Sequence, residues 1–342
     1  MGKMLSRERV HYIDVARGIA IILMVLGHIL EVETIGRELV FSFHMPLFLI
    51  VSGYFFSDKG SFGKLLSKLL VKLLLPAFVI LTLVNFINMF RLGTGFRSFI
   101  SSSIHQIVLF YSWRNDGAGI IWDYPYGTGV MWFISLLFLI RLLYFLINKV
   151  TKGNIYGNLG ICGVLTVAGY YISQNLLYWL PWSFDVALSS IIFFSGGHFL
   201  SLHRDKLQSI YRNWIFAACL FVIWMFNVFQ FKSIELAMRT YPQGITSYIT
   251  AVLGTIIVLT VSYHCERKIN ILSKILIWFG ENSLYVLMAH HLEGSVIDYA
   301  QLWSIKPVLF IVKMLIVFIL AVVIKFIVEQ TGGFYRKLAG NR

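Results

Sequence analysis

The chain has 342 residues, of which 58% are hydrophobic and only 13% are charged. Soluble globular proteins carry about a quarter charged residues, so this composition excludes an ordinary cytosolic enzyme and indicates a membrane protein. The net charge of +13 requires no nucleic-acid partner, because the cytoplasmic loops of membrane proteins are rich in Lys and Arg. The three cysteines, Cys162, Cys219 and Cys265, are too far apart in sequence to suggest a disulfide framework or a metal motif.

Ten stretches of the sequence approach the roughly 20 apolar residues that a helix needs to cross a bilayer. Ten spans place both termini on one side of the membrane. If that side is cytoplasmic, the inner segments carry seventeen Lys and Arg residues and the outer segments seven. The sequence therefore predicts an all-α, polytopic protein of the cytoplasmic membrane with both termini cytoplasmic, forming a single domain over residues 1–342. The predicted spans are 13–31, 40–57, 67–90, 129–148, 157–175, 183–201, 212–231, 245–263, 275–292 and 305–328.

The first predicted span contains two ionisable residues, Arg17 and His28. They are eleven residues apart, so both side chains leave one face of the helix, separated by about 16 Å along its axis. An ionisable residue inside a membrane is costly and marks a functional site by default. The alternatives are an anchoring role for Arg17 at the cytoplasmic headgroups and a structural role for His28, but the shared face favours a function for both.

The second predicted span begins near His44 and later contains the triplet Ser-Gly-Tyr at 52–54. Because this span runs opposite to the first, we expect His44 at the depth of His28, where two imidazoles would converge. The triplet is expected nearer the level of Arg17. A seam of small residues that packs against a neighbouring helix is the alternative interpretation of the triplet.

The predicted external connection, 91–128, encloses a short apolar segment at 104–113. This segment is too short to cross a membrane. It is expected to form either a re-entrant lid over an external opening or a helix that lies at the interface.

Polar and aromatic residues mark three of the later spans. Trp132 lies near the start of the fourth span and is typical of membrane interfaces. Asp185 lies just inside the sixth span, where an acid either interacts favourably with the helix dipole or contributes to binding. The ninth span carries Glu281 and Asn282 and then His290, so its polar groups lie at two depths and not in one compact triad.

Motifs of several other enzyme classes are missing from the sequence. There is no Walker A glycine loop, no His-Glu-x-x-His zinc helix and no Gly-x-Ser-x-Gly nucleophile elbow. ATP-driven transport, zinc proteolysis and serine hydrolysis therefore lack support, and no metal is expected. The remaining chemistry is expected to come from histidine.

Taken together, these residues resemble the acyltransferase 3 family of integral-membrane acyltransferases, and particularly its bacterial branch similar to fucose 4-O-acetylases and other polysaccharide O-acetyltransferases. The resemblance extends over nearly the whole chain. It implies a bundle of ten helices that transfers an acyl group, usually acetyl, from cytoplasmic acetyl-CoA to a hydroxyl of an extracytoplasmic or lipid-linked glycan. The residues that carry it are Arg17 and His28, the segments 43–48 and 52–54, Trp132 and Phe133, Asp185, and the segment 280–285 with His290.

The resemblance also implies roles for individual residues. Arg17 and His28 match the family's arginine and histidine pair, and 52–54 matches its Ser-Gly-aromatic element, with Tyr where many relatives have Phe. Transfer from a thioester needs a base that works near pH 7, so we expect His28 to be the general base and Arg17 to position the donor. A covalent acyl-histidine step stays open. The expected donor contacts are Arg17, Ser52, Gly53 and Tyr54, and the expected acceptor contacts are His44, Trp132, Asp185, Glu281, Asn282 and His290.

Two functions of other classes are alternatives at this stage. One is a secondary transporter that uses Arg17 and His28 as a substrate and proton site. The other is a structural or sensory membrane subunit in which neither residue affects turnover. The expected partners are acetyl-CoA, a glycan or lipid-linked saccharide and membrane lipid, without nucleic acid, and the sequence specifies neither the acceptor sugar nor the oligomeric state.

Overall fold

The computed structural model describes residues 11–32, 34–111, 127–176, 179–204, 211–266 and 271–338, with side chains as far as residue 330. Within these residues the chain is helical, and the only extended pairing is one isolated bridge between Glu235 and Thr240. The helices are α1 His11–Gly27, α2 Ile35–Phe41, α3 His44–Tyr54, α4 Phe62–Leu69, α5 Leu75–Leu92, α6 Gly95–Leu109, α7 Trp132–Val150, α8 Ile155–Asn175, α9 Phe184–Leu202, α10 Trp214–Phe231, α11 Thr246–Glu266, α12 Ile271–Glu281, α13 Ser283–Val296 and α14 Lys306–Leu338.

Eight helical stretches of the described chain are long and apolar enough to cross a membrane, and the bent pair α12 and α13 would be a ninth. Helix α1, which is most of the first predicted span, has 17 residues and is not among them. The prediction of an all-α polytopic membrane protein is confirmed. Of the predicted external connection, α6 packs against α5, and residues 112–126 lie outside the described part.

Helix α1 lies at the centre of the bundle, in contact with α2, α3 and α11 to α14. Its closest approach is to α12, where a Cβ on Gly18 would lie 2.0 Å from the carbonyl oxygen of Leu276. In return, a Cβ on Gly280 would lie 1.8 Å from the carbonyl oxygen of Asp14. Only glycine fits at either position, so the two backbones meet directly, as small residues permit between membrane helices. This contact fixes the position of α12 relative to the turn of α1 that carries Arg17.

Two irregular turns shape the surroundings of α1. Residues Leu70–Leu74, between α4 and α5, form a π-helical turn. Pro76 follows it, and because proline has no N–H and its ring clashes with the carbonyl four residues before it, here that of Lys72, the helix widens at this point. The predicted ninth span is two helices that meet at an angle of 78°. Asn282 lies at the bend and its side-chain amide donates a 2.7 Å hydrogen bond to the carbonyl of Trp278.

Candidate active site

A cavity of about 350 Å³ lies between α1, α3, α7, α13, the end of α4 and the π-helical turn that follows it. This volume is in the range of small-molecule sites, about 300–1,000 Å³. Along three of these helices the lining changes from polar to apolar over about two turns. On α1 it runs from Arg17 to Met24, on α3 from Ser52 to Met45 and on α7 from Arg141 to Phe133. The cavity therefore has a basic end and an apolar end.

The cavity-lining face of α1 leads to His28. Arg17, Ile21 and Met24 line the cavity at positions i, i+4 and i+7, and His28 is the next residue on that face. The backbone N–H of His28 donates to the carbonyl of Met24 at 3.2 Å, so helical geometry continues to this point. His28 therefore lies about 6 Å beyond Met24 along the helix axis.

The cavity-lining face of α13 leads to the same place. Ser283 and Leu287 line the cavity, and His290 follows on the same face. The ring centroids of His28 and His290 are 5.3 Å apart. His28 is an exposed residue although its ring neighbours His290 and Phe41 are buried, so it faces a recess and not a closed core.

Arg17 is held in place at the basic end of the cavity. Its guanidinium donates to the hydroxyl of Ser283 at 2.9 Å and lies 3.5 Å from the carboxylate of Asp14. Ser283 is the first residue of α13, so the bend at Asn282 brings this hydroxyl to α1. The structure thus places Arg17 and His28 on one face of α1, each opposite a polar residue of α13.

A buried ionic network, absent from the sequence-based expectations, supports His290. Its Nδ1 lies 2.9 Å from Oε1 of Glu293, and Nζ of Lys313 lies 3.0 Å from the same oxygen and 3.2 Å from the other. The Glu293 side chain is fully buried. The sequence contains a sign of this network. An ionisable residue inside a membrane marks a functional site by default, and Lys313, like Arg141, lies inside a predicted span just as Arg17 does.

His44 lies close to the histidine pair without lining the cavity. It is buried, and its Nδ1 donates to the carbonyl of Val40 at 2.9 Å. Its ring is 4.8 Å from that of Phe41, which also contacts His28 edge-on at 5.9 Å. Phe41 therefore separates two imidazoles that the sequence places at one depth.

The Ser-Gly-Tyr triplet is divided between the cavity and a helix contact. Ser52 lines the cavity. A Cβ on Gly53 would lie 1.9 Å from the carbonyl oxygen of Phe194, so this glycine lets α3 and α9 touch. Tyr54 is half-buried with its ring 5.4 Å from that of Phe55. The alternative interpretation of the triplet, small residues that pack against a neighbouring helix, thus applies to Gly53.

Asp185 forms a buried ion pair away from the cavity lining. Its two carboxylate oxygens accept hydrogen bonds of 2.9 and 3.2 Å from the guanidinium of Arg239, in the connection between α10 and α11. The same guanidinium lies 3.8 Å from the ring centroid of Trp179. This arrangement joins the start of α9 to that connection.

Three further residues of the predicted site lie near the cavity or its supports. Trp132 is buried at the start of α7, with its ring 6.2 Å from that of the cavity-lining Phe133. Asn282 occupies the bend before α13, and Glu281 is exposed at the end of α12. Arg17 and Ser52 thus line the cavity, whereas His28 and His290 lie beyond its apolar end, on the helix faces that line it.

The sequence matches a known family over almost the whole of this bundle. The match is to the acyltransferase domain of the acyltransferase 3 type and covers residues 10–329, which include every residue of the site described above. No curated protein and no solved structure gives a significant match to the chain. With an all-α membrane bundle and a family match from α1 into α14, the chain belongs to the acyltransferase 3 family of membrane acyltransferases.

Proposed function

We propose that the protein transfers an acetyl group from acetyl-CoA to a hydroxyl of an extracytoplasmic or lipid-linked glycan. One observation carries the proposal: the cavity-lining faces of α1 and α13 lead from Arg17 and Ser283 at the basic end to the paired rings of His28 and His290. A basic entrance suits a phosphate-bearing donor. An exposed imidazole about 16 Å further along the helix suits an acceptor that arrives from the other side.

The proposed orientation has both termini in the cytoplasm of a bacterial cell and the bundle in the cytoplasmic membrane. The excess of Lys and Arg in the segments on that side supports it. In this orientation the start of α1, and with it the basic end of the cavity, faces the compartment that holds acetyl-CoA. His28 then lies in the outer half of the membrane, accessible to the glycan.

The reaction requires one proton transfer and one acyl transfer. His28 takes the proton of the acceptor hydroxyl while the oxygen attacks the thioester carbonyl. The tetrahedral intermediate collapses to the ester, and the CoA thiolate leaves and recovers the proton from the imidazolium of His28. Arg17, fixed by Ser283, holds the donor with Ser52, and the apolar wall around Met24 excludes water that would hydrolyse the thioester.

The remaining contacts of the proposed site follow from their positions. His290 lies against His28 and is oriented by Glu293, so it contacts the acceptor hydroxyl from the side of α13. His44 limits the recess behind Phe41. Trp132 supports the cavity wall next to Phe133.

The test is the substitution His28→Ala, assayed in membranes supplied with radiolabelled acetyl-CoA and the surface glycan. Loss of a general base is expected to lower the rate of glycan acetylation about 10²- to 10⁴-fold at unchanged protein abundance. His203→Ala is the matched control, because that ring packs on Phe199 at the end of α9 and does not line the cavity. Full transfer by His28→Ala would remove His28 from the mechanism. Proton-coupled uptake by the wild type, without any dependence on acetyl-CoA, would contradict the acyltransferase proposal in favour of a transporter.

A further inference from the structure

The basic end of the cavity carries more positive charge than Arg17 alone supplies. Lys68, at the end of α4, and Lys72, in the π-helical turn that continues it, line the cavity from one continuous helical segment, and Arg141 lines it from α7. None of the lining residues, which all belong to the described part of the chain, is acidic. Lys68 and Lys72 also line an adjoining surface groove together with Lys64 and Ser67.

The three lysines are arranged unfavourably for the helix that carries them. Lys64, Lys68 and Lys72 follow one another at four-residue spacing, and all three side chains are exposed. Like charges four residues apart destabilise a helix. The segment 62–74 contains no acid that would offset this repulsion. A row of this kind is stabilised when an anion binds across it.

Arg141 indicates that the anion enters the cavity. It is half-buried, and within the described part of the chain neither an ion pair nor a hydrogen bond reaches its guanidinium. Its charged neighbour there is Arg17, which repels it. Arg17 already has Asp14 and Ser283 as partners, so Arg141 and the lysines are the cations that an added anion would neutralise. A guanidinium withdrawn from water without a partner is costly.

Lipid headgroups are the other common source of phosphate for such residues. Exposed lysines at a membrane surface often extend to headgroups, and Lys64 is placed for that role. Arg141 and Arg17 are different, because they line a space between helices and belong to two elements other than α4. Cations from three elements around one cavity suit a ligand with several phosphates better than they suit a lipid surface.

We propose that Lys68, Lys72 and Arg141 bind the phosphates of the acyl donor's nucleotide, the diphosphate and the 3′-phosphate, while Arg17 and Ser283 contact the pantetheine arm. The assignment rests on the proposed function, in that the donor is an acyl-CoA. The arm then runs along the apolar lining from Arg17 past Met24 to His28, a path of about 16 Å along α1.

The first experiment measures binding without catalysis. Adenosine 3′,5′-bisphosphate is titrated into the purified full-length protein in nanodiscs of neutral phosphatidylcholine. Relative to the wild type, each of Lys68→Gln, Lys72→Gln and Arg141→Gln is expected to raise Kd about 10-fold, as for the loss of a charge-assisted hydrogen bond. Lys59→Gln removes a charge from a loop that precedes α4 and does not line the cavity, and it is expected to leave Kd unchanged. The triple variant combines Lys68→Gln, Lys72→Gln and Arg141→Gln. Equal Kd values for the wild type and this variant would overturn the inference.

The second experiment compares two donors in the transfer reaction. Acetyl-CoA carries the nucleotide phosphates and acetylpantetheine does not, so the wild type is expected to have the lower KM for acetyl-CoA. In the triple variant the ratio of the two KM values is expected to fall towards one. An unchanged ratio in an active triple variant would contradict the inference alone, whereas a wild type that uses neither donor would contradict the proposed function.

Lipid provides the last discrimination. If the three cations bind lipid headgroups, the Kd of the triple variant for the bisphosphate equals that of the wild type in neutral nanodiscs. The two Kd values then differ only in nanodiscs that contain anionic phosphatidylglycerol. That result would overturn the assignment. A raised Kd in neutral discs supports it.

Discussion

The ion pair between Asp185 and Arg239 predicts a measurable loss of stability when either charge is removed. Both side chains are almost fully buried, at 2% and 3% exposure, and two hydrogen bonds of 2.9 and 3.2 Å join them. Asp185→Asn keeps the shape of the side chain and removes its charge, so the buried guanidinium loses the carboxylate that accepts two of its hydrogen bonds. Breaking such a pair costs about 3–5 kcal/mol. The ratio of folded to unfolded protein is then expected to fall about 100- to 4,000-fold.

The measurement is the free energy of unfolding in mixed micelles of increasing SDS content, followed by the fluorescence of the nine tryptophans. Asp185→Leu combined with Arg239→Met is the control, because replacing a whole buried pair with apolar residues is often neutral. Stability should return in the double variant, and the KM for the acceptor should match the wild type. A stable Asp185→Asn variant with a raised acceptor KM would refute this reasoning and assign Asp185 to binding.

Two further predictions concern the supports of the site. Glu293→Leu alone is expected to cost about 3–5 kcal/mol because it leaves Lys313 buried and unpaired, and adding Lys313→Met is expected to restore stability in the same SDS titration but not acyl transfer. Wild-type transfer by that double variant would show that Glu293 does not position His290. Gly53→Ala is expected to destabilise the protein by about 1–3 kcal/mol through overpacking against α9, whereas Gly196→Ala, with no atom within 4 Å of the added Cβ, is neutral or slightly stabilising. Equal stability of the two glycine variants would contradict the α3 to α9 contact.

The face shared by Arg17 and His28 could be predicted because it depends on one helix. Spacing along a continuous helix fixes the direction of each side chain, and the apolar sequence around the two residues predicts that helix. The membrane class could be predicted for a similar reason, since length and hydropathy are properties of each span by itself. Inferences of this kind need no knowledge of how helices are placed relative to one another.

The rest of the candidate site depends on contacts between helices, which spacing does not encode. The hydropathy profile is continuous across the bend at Asn282, so the sequence predicts a straight ninth span. The contact of Ser283 with Arg17 depends on the bend and does not follow from that profile. The pairing of Asp185 with Arg239 joins residues 54 positions apart. The Ser-Gly-Tyr motif is compatible with both a packing role and a ligand contact for Gly53. Only the backbone of α9, which lies beside Gly53, distinguishes the two roles.

The two ends of the proposed site are coupled through α1 and α13. Arg17 meets Ser283 and His28 meets His290, so the two helices run in the same direction along the path. A shift of α13 along its axis would disturb both contacts at once. Such a shift is opposed by α12, which directly precedes α13 and is held against α1 by the backbone contact at Gly18 and Gly280. Preorganised geometry of this kind suits the proposed transfer, in which the substrates arrive from opposite sides, because about three turns of a single helix set the separation of the proposed donor entrance and the proposed base. In the proposed reaction, the substrates need only to reach fixed positions for the acceptor hydroxyl to meet the thioester carbonyl.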